Sequence, residues 1–161
     1  MLLATDADRI HQEIDAALAG DDIEVLRIHQ GVDVLPAVHE LAPDLVVLDL
    51  QIGNMGGMAA CMSLRLDESV DRLDHVPVLM LLDRDVDAFL AHRSEADGWI
   101  VKPLDAFRLR KAATALLSGE AYREGMAGDE GAASDLPHPE GDASGPADDV
   151  VTPPEHEAAP A

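Results

Sequence analysis

Short continuous apolar runs alternate along the first 120 residues with longer stretches in which apolar positions recur every three or four residues. Leu2-Leu3-Ala4-Thr5 is the first run, and it stops at Asp6-Ala7-Asp8. Ile10, Ile14, Ala17 and Leu18 follow at the spacing of one helical face, with Gly20 closing the helix. Ile23 to Ile28 alternates loosely and predicts a more exposed strand. Val34, Val38 and Leu41 mark a second helix, which places Pro36 in its first turn, where the missing N–H has no partner to lose. Leu45-Val46-Val47-Leu48 is apolar throughout, as in a strand covered on both faces. After a Gly53-Asn54-Met55-Gly56-Gly57 turn, Met58, Cys61, Met62 and Leu66 predict a third helical face, with the methionine pair in the core. Val76 to Leu82 is the next buried strand. Val86, Phe89 and Leu90 suggest a short helix, and Trp99-Ile100-Val101 a fifth strand ended by Lys102-Pro103. Leu109, Ala112, Ala113 and Leu116 form the face of a last helix, with Asp105 as its N-cap.

Five strand–helix pairs in 120 residues predict an α/β fold: a flavodoxin-like, doubly wound, five-stranded parallel sheet with helices on both faces. Beyond it the pattern fails. Residues 121–161 carry ten acidic side chains against one basic, and from Glu124 onward the only large aliphatic residues are Met126, Leu136, Val150 and Val151. Such a segment buries too little apolar surface to offset its ordering entropy. The expected organisation is a folded domain over 1–120 and a disordered acidic tail over 121–161.

The whole chain has 161 residues and a formal net charge of −21. That balance argues against a nucleic-acid partner, because binding a phosphate backbone needs Lys and Arg to displace counterions. No apolar run approaches the roughly 20 residues of a membrane span, and the start lacks a basic leader. A cytoplasmic protein is the expectation. The single cysteine, Cys61, excludes an intramolecular disulfide and a multi-cysteine metal site. None of the seven histidines is paired at metal-ligand spacing.

Polar residues stand where the predicted strands end: Asp6 and Asp8 after the first, Asp49 at the third, Asp83 after the fourth, Lys102 after the fifth. In open α/β sheets the ligand site lies beyond the carboxyl ends of the strands. Asp6 and Asp49 brought together would repel, and a hard cation such as Mg²⁺ relieves this with a few carboxylate and carbonyl oxygens. A carboxylate beside a metal and a lysine also suits covalent capture of a phosphoryl group.

These segments resemble the receiver domain of response regulators, the module that takes a phosphoryl group from a histidine kinase. The resemblance rests on Leu2 to Asp8, Pro43-Asp44-Leu45-Val46-Val47-Leu48-Asp49-Leu50, Gly53 to Gly57, Val76 to Leu81 and Ala96-Asp97-Gly98-Trp99-Ile100-Val101-Lys102-Pro103. It implies a CheY-like signalling protein of a two-component system, with Asp49 as phosphoacceptor and Lys102 contacting the phosphoryl group. It implies Mg²⁺ held by Asp6, Asp49 and the Gln51 backbone carbonyl, with Trp99 at the place of the switch aromatic. Partners would be a histidine kinase or phosphotransfer protein, a downstream protein, or a second copy of the chain. Output would pass through a partner or the tail, since nothing after residue 120 resembles a winged helix or an enzyme.

Four positions depart from the family pattern. Thr5 stands in place of the first of two acids, and Asp8 lies too far along to be assumed a replacement. Leu82 replaces the Ser or Thr whose hydroxyl links the phosphoryl group to the switch, Asp83 replaces a small residue and must turn outward to avoid repelling a phosphoryl group, and Gly53 replaces a proline, predicting a looser loop. The alternative is therefore a phosphorylation-independent pseudo-receiver. An enzyme is not expected: Asp6-Ala7-Asp8 superficially resembles the motif of aspartyl-nucleophile phosphatases, but Ile10 stands where they carry Thr or Val and the body leaves no room for a cap. A flavodoxin-type cofactor binder would need a Ser/Thr/Gly phosphate cradle where this chain has an acidic loop.

Overall fold

Leucine, valine and alanine at successive strand positions send their side chains to opposite faces of one sheet, and this divides the core in two. In the computed structural model, which describes residues 1–18, 20 and 23–124, six strands lie in the order β2-β1-β3-β4-β5-β6, all parallel. They are β1 (Leu2–Ala4), β2 (Leu26–Ile28), β3 (Val46–Asp49), β4 (Val78–Leu82), β5 (Gly98–Val101) and β6 (Tyr122–Arg123). The helices are α1 (Asp8–Leu18), α2 (Val34–Leu41), α3 (Gly57–Ser69), α4 (Ala88–Arg93) and α5 (Ala106–Leu117). Leu3, Val47, Leu79, Leu81 and Ile100 face α1 and α5. Leu2, Leu48, Met80, Leu82 and Trp99 face α2, α3 and α4. The doubly wound parallel architecture read from the sequence is the one observed.

The differences lie at its margins. The sheet has six strands, not five: α5 ends at Leu117, Gly119 takes a left-handed φ of 80°, and the chain returns along β5 as β6. The folded body therefore runs at least to Glu124, past the boundary expected at residue 120. The expected disordered segment from residue 125 onward lies outside the described residues, as do His138 and His156. The second strand is limited to Leu26–Ile28.

Two helical faces are rotated from expectation. In α3 the buried residues are Gly57, Ala60, Cys61 and Leu64, leaving Met62 and Leu66 exposed. In α4 Ala88 and Ala91 face the core while Phe89 is exposed, and Val86 in the preceding turn is exposed as well. Small residues line this face because the indole of Trp99, fully buried, already occupies the space between α4 and β5. Pro36 lies in the first turn of α2, and Asp105 caps α5 by accepting from the Phe107 and Arg108 amides at 3.0 Å each.

Candidate functional site

The sheet order sets β1 beside β3, and the connections leaving these two strands, to β2 and to β4, run to opposite sides, which opens a crevice between their carboxyl ends. Thr5 and Asp6 follow β1, Asp49 closes β3, and Asp83 and Lys102 follow β4 and β5. The parallel register sets Asp49 opposite Leu81 and Leu82 opposite Val101, which brings three strand ends to one level.

Asp49 is 3% exposed and each of its oxygens has a donor. The Lys102 ammonium donates to Oδ1 at 2.8 Å, with the Gln51 amide at 3.3 Å on the same oxygen. The Thr5 hydroxyl donates to Oδ2 at 2.9 Å and itself accepts from the Ala7 amide at 3.2 Å. A carboxylate taken this far from water needs such partners, because an unpaired buried charge is costly. Thr5 is fully buried. The residue that reads in the sequence as a missing acid is thus a neutral donor to Asp49, and its hydroxyl alone could not have announced that role.

Lys102 serves a second carboxylate. Asp83 Oδ1 accepts from its ammonium at 3.1 Å, so Asp83 faces the lysine and does not take the outward turn that would keep it from repelling a phosphoryl group. Asp6 stands on the same rim, its Oδ2 accepting from the Gly53 amide at 3.3 Å. A proline at 53 could not make that bond. The loop after β3 is also not loosened: the Gly31 and Val32 amides donate to the Gly53 and Asn54 carbonyls at 3.0 and 2.9 Å, and the Asn54 side-chain amide donates to Gln30 at 2.6 Å. Gly31 is indispensable to this contact, since a Cβ there would lie 1.6 Å from the Met55 carbonyl oxygen. Asp8 does not join the site; it pairs with Arg27 at 2.8 Å, which holds its carboxyl below the usual range.

Leu82 is fully buried in the cluster shared with α2, α3 and α4, and its side chain offers no hydrogen bond to the rim; its carbonyl accepts from the Lys102 amide at 2.8 Å. Trp99 is equally buried. The Cys61 thiol donates to the Ser94 carbonyl at 3.2 Å, and burial pushes its pKa up to about 11, so it is an inert core group. Among the described residues no group of three or more His, Cys, Asp or Glu side chains gathers as a metal cage. The rim carries the carboxylates of Asp6, Asp49 and Asp83, a hard oxygen set in which Asp49 and Asp83 share Lys102 and Asp6 does not. Mg²⁺ commonly needs no more from a protein, since it keeps several waters.

The family profile "Response regulator receiver domain" matches residues 1–114. The DNA-binding response regulator MtrA of Mycolicibacterium paratuberculosis is 35% identical over 105 residues, 64% of this chain and 44% of that protein. The transcriptional regulatory protein AfsQ1 of Streptomyces coelicolor is 31% identical over 106 residues, 65% of this chain and 44% of that protein. The chain spans less than half the length of these curated relatives. Among solved structures, the receiver domain of NtrX from Brucella abortus has a TM-score of 0.63 at 26% identity, covering 73% of this chain and 97% of that one. The chemotaxis response regulator CheY4 of Vibrio cholerae has a TM-score of 0.63 at 22% identity, covering 71% and 95%, and bears on the fold alone. With the profile covering most of the chain and the acid-and-lysine crevice at the switch point, the chain belongs to the response regulator receiver family.

Proposed function

We propose that this protein is a two-component response regulator whose Asp49 accepts a phosphoryl group from a phosphohistidine on a histidine kinase or phosphotransfer protein. A carboxylate oxygen of Asp49 attacks phosphorus, the P–N bond breaks, and the imidazole leaves with the electron pair and takes up a proton. The observation that supports this is the Asp49–Lys102 pair at 2.8 Å, nearly buried at the strand ends. Lys102 holds the acceptor oxygen in place and remains to receive a phosphoryl oxygen as negative charge accumulates. Thr5 fixes the other oxygen of Asp49, which orients the nucleophile.

Asp6 and Asp49, with the Gln51 backbone carbonyl, would hold Mg²⁺; the ion would supply charge neutralisation for the transferred phosphoryl group. Asp83 enters as a competitor. Its carboxylate already occupies Lys102, so a phosphoryl group must displace it. The protein is a stoichiometric acceptor in this reading, not an enzyme turning over a small substrate. It works in the cytoplasm and signals through protein contacts, its charge of −21 being unsuited to a polyphosphate partner.

Leu82 favours one alternative. Its side chain lies wholly in the core, so no hydroxyl at the end of β4 follows a phosphoryl group inward, and the protein then signals without phosphorylation. Intact-mass measurement after incubation with acetyl phosphate and Mg²⁺ separates the two. The phosphoacceptor reading expects a gain of one phosphoryl group that Asp49→Asn abolishes. No gain in the wild type, or an equal gain in the variant, refutes it.

A further inference from the structure

Trp99 carries the largest fully buried side chain of the described residues, and its one polar atom is not satisfied from within the sheet. The indole Nε1–H donates at 2.7 Å to the carbonyl oxygen of Glu124, the residue just past β6. The Arg123 guanidinium lies over the indole ring, 5.5 Å from its centroid. The carboxylate of Glu124 then collects three donors: the Val101 amide at 3.2 Å, the Tyr122 hydroxyl at 3.0 Å, and the Arg108 guanidinium, whose Nε reaches Oε1 at 2.8 Å and whose Nη2 reaches Oε2.

The groups that receive this segment belong to β5 and α5, and of them Arg108 is also held independently of it. Arg108 is braced by the Val101 carbonyl at 2.8 Å and the Pro103 carbonyl at 3.0 Å, so its fork is held out before any carboxylate arrives. Gly98 leaves the strand edge bare: a Cβ there would stand 2.6 Å from the Tyr122 carbonyl oxygen. A parallel strand edge, a braced guanidinium, a strand amide and an indole N–H together make a receptor for an extended peptide. The mode is strand addition with a carboxylate anchor. Burial opposes the charge on Glu124, yet the bonds from Arg108, Val101 and Tyr122 hold its carboxyl below the usual range.

We infer that the edge of β5, with Arg108 and the Trp99 indole, is a binding cleft for an acidic peptide strand. The chain fills it in cis with its own Tyr122–Glu124, and occupancy of this cleft sets the position of Trp99. Leu82, fully buried and without a hydroxyl, has no polar handle on the switch aromatic. Control of Trp99 passes instead to the residues that accept its N–H. Vacating the cleft leaves that N–H without an acceptor and draws the ring toward water. A protein partner fits here if it offers an extended segment with an aromatic residue followed two positions later by Glu, displacing the resident one. Nothing in this inference requires chemistry at Asp49, so it stands or falls apart from the phosphotransfer reading.

The test uses the full chain and its single tryptophan. In an Arg123→Pro/Glu124→Ala variant the proline removes the guanidinium over the indole and stiffens the strand backbone, and the alanine removes the carboxylate anchor. Relative to wild type, Trp99 emission is expected to shift to the red and acrylamide quenching to rise several-fold, with a cooperative melt retained. A synthetic peptide of residues 120–126 is expected to reverse both changes saturably, and the same peptide carrying Glu124→Gln to do so more weakly. Wild-type emission and quenching in the double variant overturn the proposal. So does a shift that the peptide fails to reverse, or one that both peptides reverse equally. If the double variant does not melt cooperatively, Glu124→Gln in the full chain decides: increased quenching with an intact melt supports the cleft, and unchanged quenching overturns it.

Discussion

At the amino-terminal end of the sheet Arg65 donates to Glu68 at 2.6 Å, Asp97 at 2.7 Å, and the carbonyls of Val76 and Glu95 at 3.2 and 2.9 Å. The carboxylates are spoken for in turn: Glu68 also accepts from the Val76 amide at 3.0 Å, Asp97 from the Val78 amide at 2.7 Å, and His75 sits between them at 3.0 and 3.3 Å. At the carboxyl end one ammonium, Lys102, faces both Asp49 and Asp83, with Asp6 on the same rim held by a single long bond. The first arrangement matches donors to acceptors and ties α3 to the starts of β4 and β5. The second is short of positive charge and holds its carboxylates ready for something that supplies it. A network that satisfies itself stabilises a fold; one left under-neutralised at a switch point receives a ligand.

Breaking the satisfied end has the largest expected effect. Arg65→Ala removes the cation from two carboxylates and two carbonyls, and Arg65 and Glu68 are both largely buried. Destabilisation of about 3 kcal/mol in urea unfolding is expected, the lower part of the range for breaking a buried pair, because water still reaches Asp97. The rate of Asp49 phosphorylation by acetyl phosphate is expected to stay as in wild type. A loss within about 0.5 kcal/mol, the level of ordinary surface substitutions, ends the claim that this end carries stability.

A smaller effect is read through pH. Burial would raise the Glu68 carboxyl, but the bonds from His75, the Val76 amide and Arg65 together hold it below its ordinary value. A carboxyl lowered in the folded state contributes stability that is fully present above its unfolded pKa of about 4.3 and is lost as pH falls through the folded value. The urea midpoint is therefore expected to fall between about pH 5 and pH 3, and Glu68→Gln to flatten part of that slope. Glu124 is lowered in the same direction, so the variant removes only its own share. An acid limb identical in wild type and Glu68→Gln breaks this half of the comparison.

How much of this was legible depends on how local each signal is. Leu45 to Leu48 and Val76 to Leu82 read as buried strands because a parallel sheet covers both faces of each and leaves no polar position. Asp49 and Lys102 were legible because a charged residue ending such a run marks the carboxyl edge. The α3 and α4 faces were misread at Met62, Leu66 and Phe89, since small residues carry little apolar signal: Gly57 of α3 packs on the backbone of Asp49 and Leu50, and the α4 alanines face the core beside the buried Trp99. β6 is two residues long, and what anchors its end are the bonds of the following Glu124 to Arg108, Val101 and Trp99, so no periodic pattern announces it. Arg65 and Glu68 are a visible helical pair; that Asp97 completes them depends on a fold that brings α3 to β5.

The smallest expected effect sharpens the under-neutralised end. Asp83 is about two-fifths exposed and shares Lys102 with the buried Asp49, so its ion pair is of the screened, surface kind. Such a pair is worth about 0.5–1 kcal/mol. If a phosphoryl group must displace Asp83 from Lys102, removing the carboxylate returns that energy to the transition state. Asp83→Ala is then expected to speed acetyl-phosphate labelling of Asp49 by about two- to fivefold, with 1.4 kcal/mol counted as tenfold. Raising ionic strength should narrow the gap between variant and wild type, because salt weakens the exposed Asp83 contact more than the buried Asp49 one. Labelling of Asp83→Ala at the wild-type rate in low salt would mean that Asp83 leaves Lys102 without cost. The lysine would then be free for a phosphoryl oxygen from the start, and the shortage of positive charge at this end would be smaller than its contacts indicate.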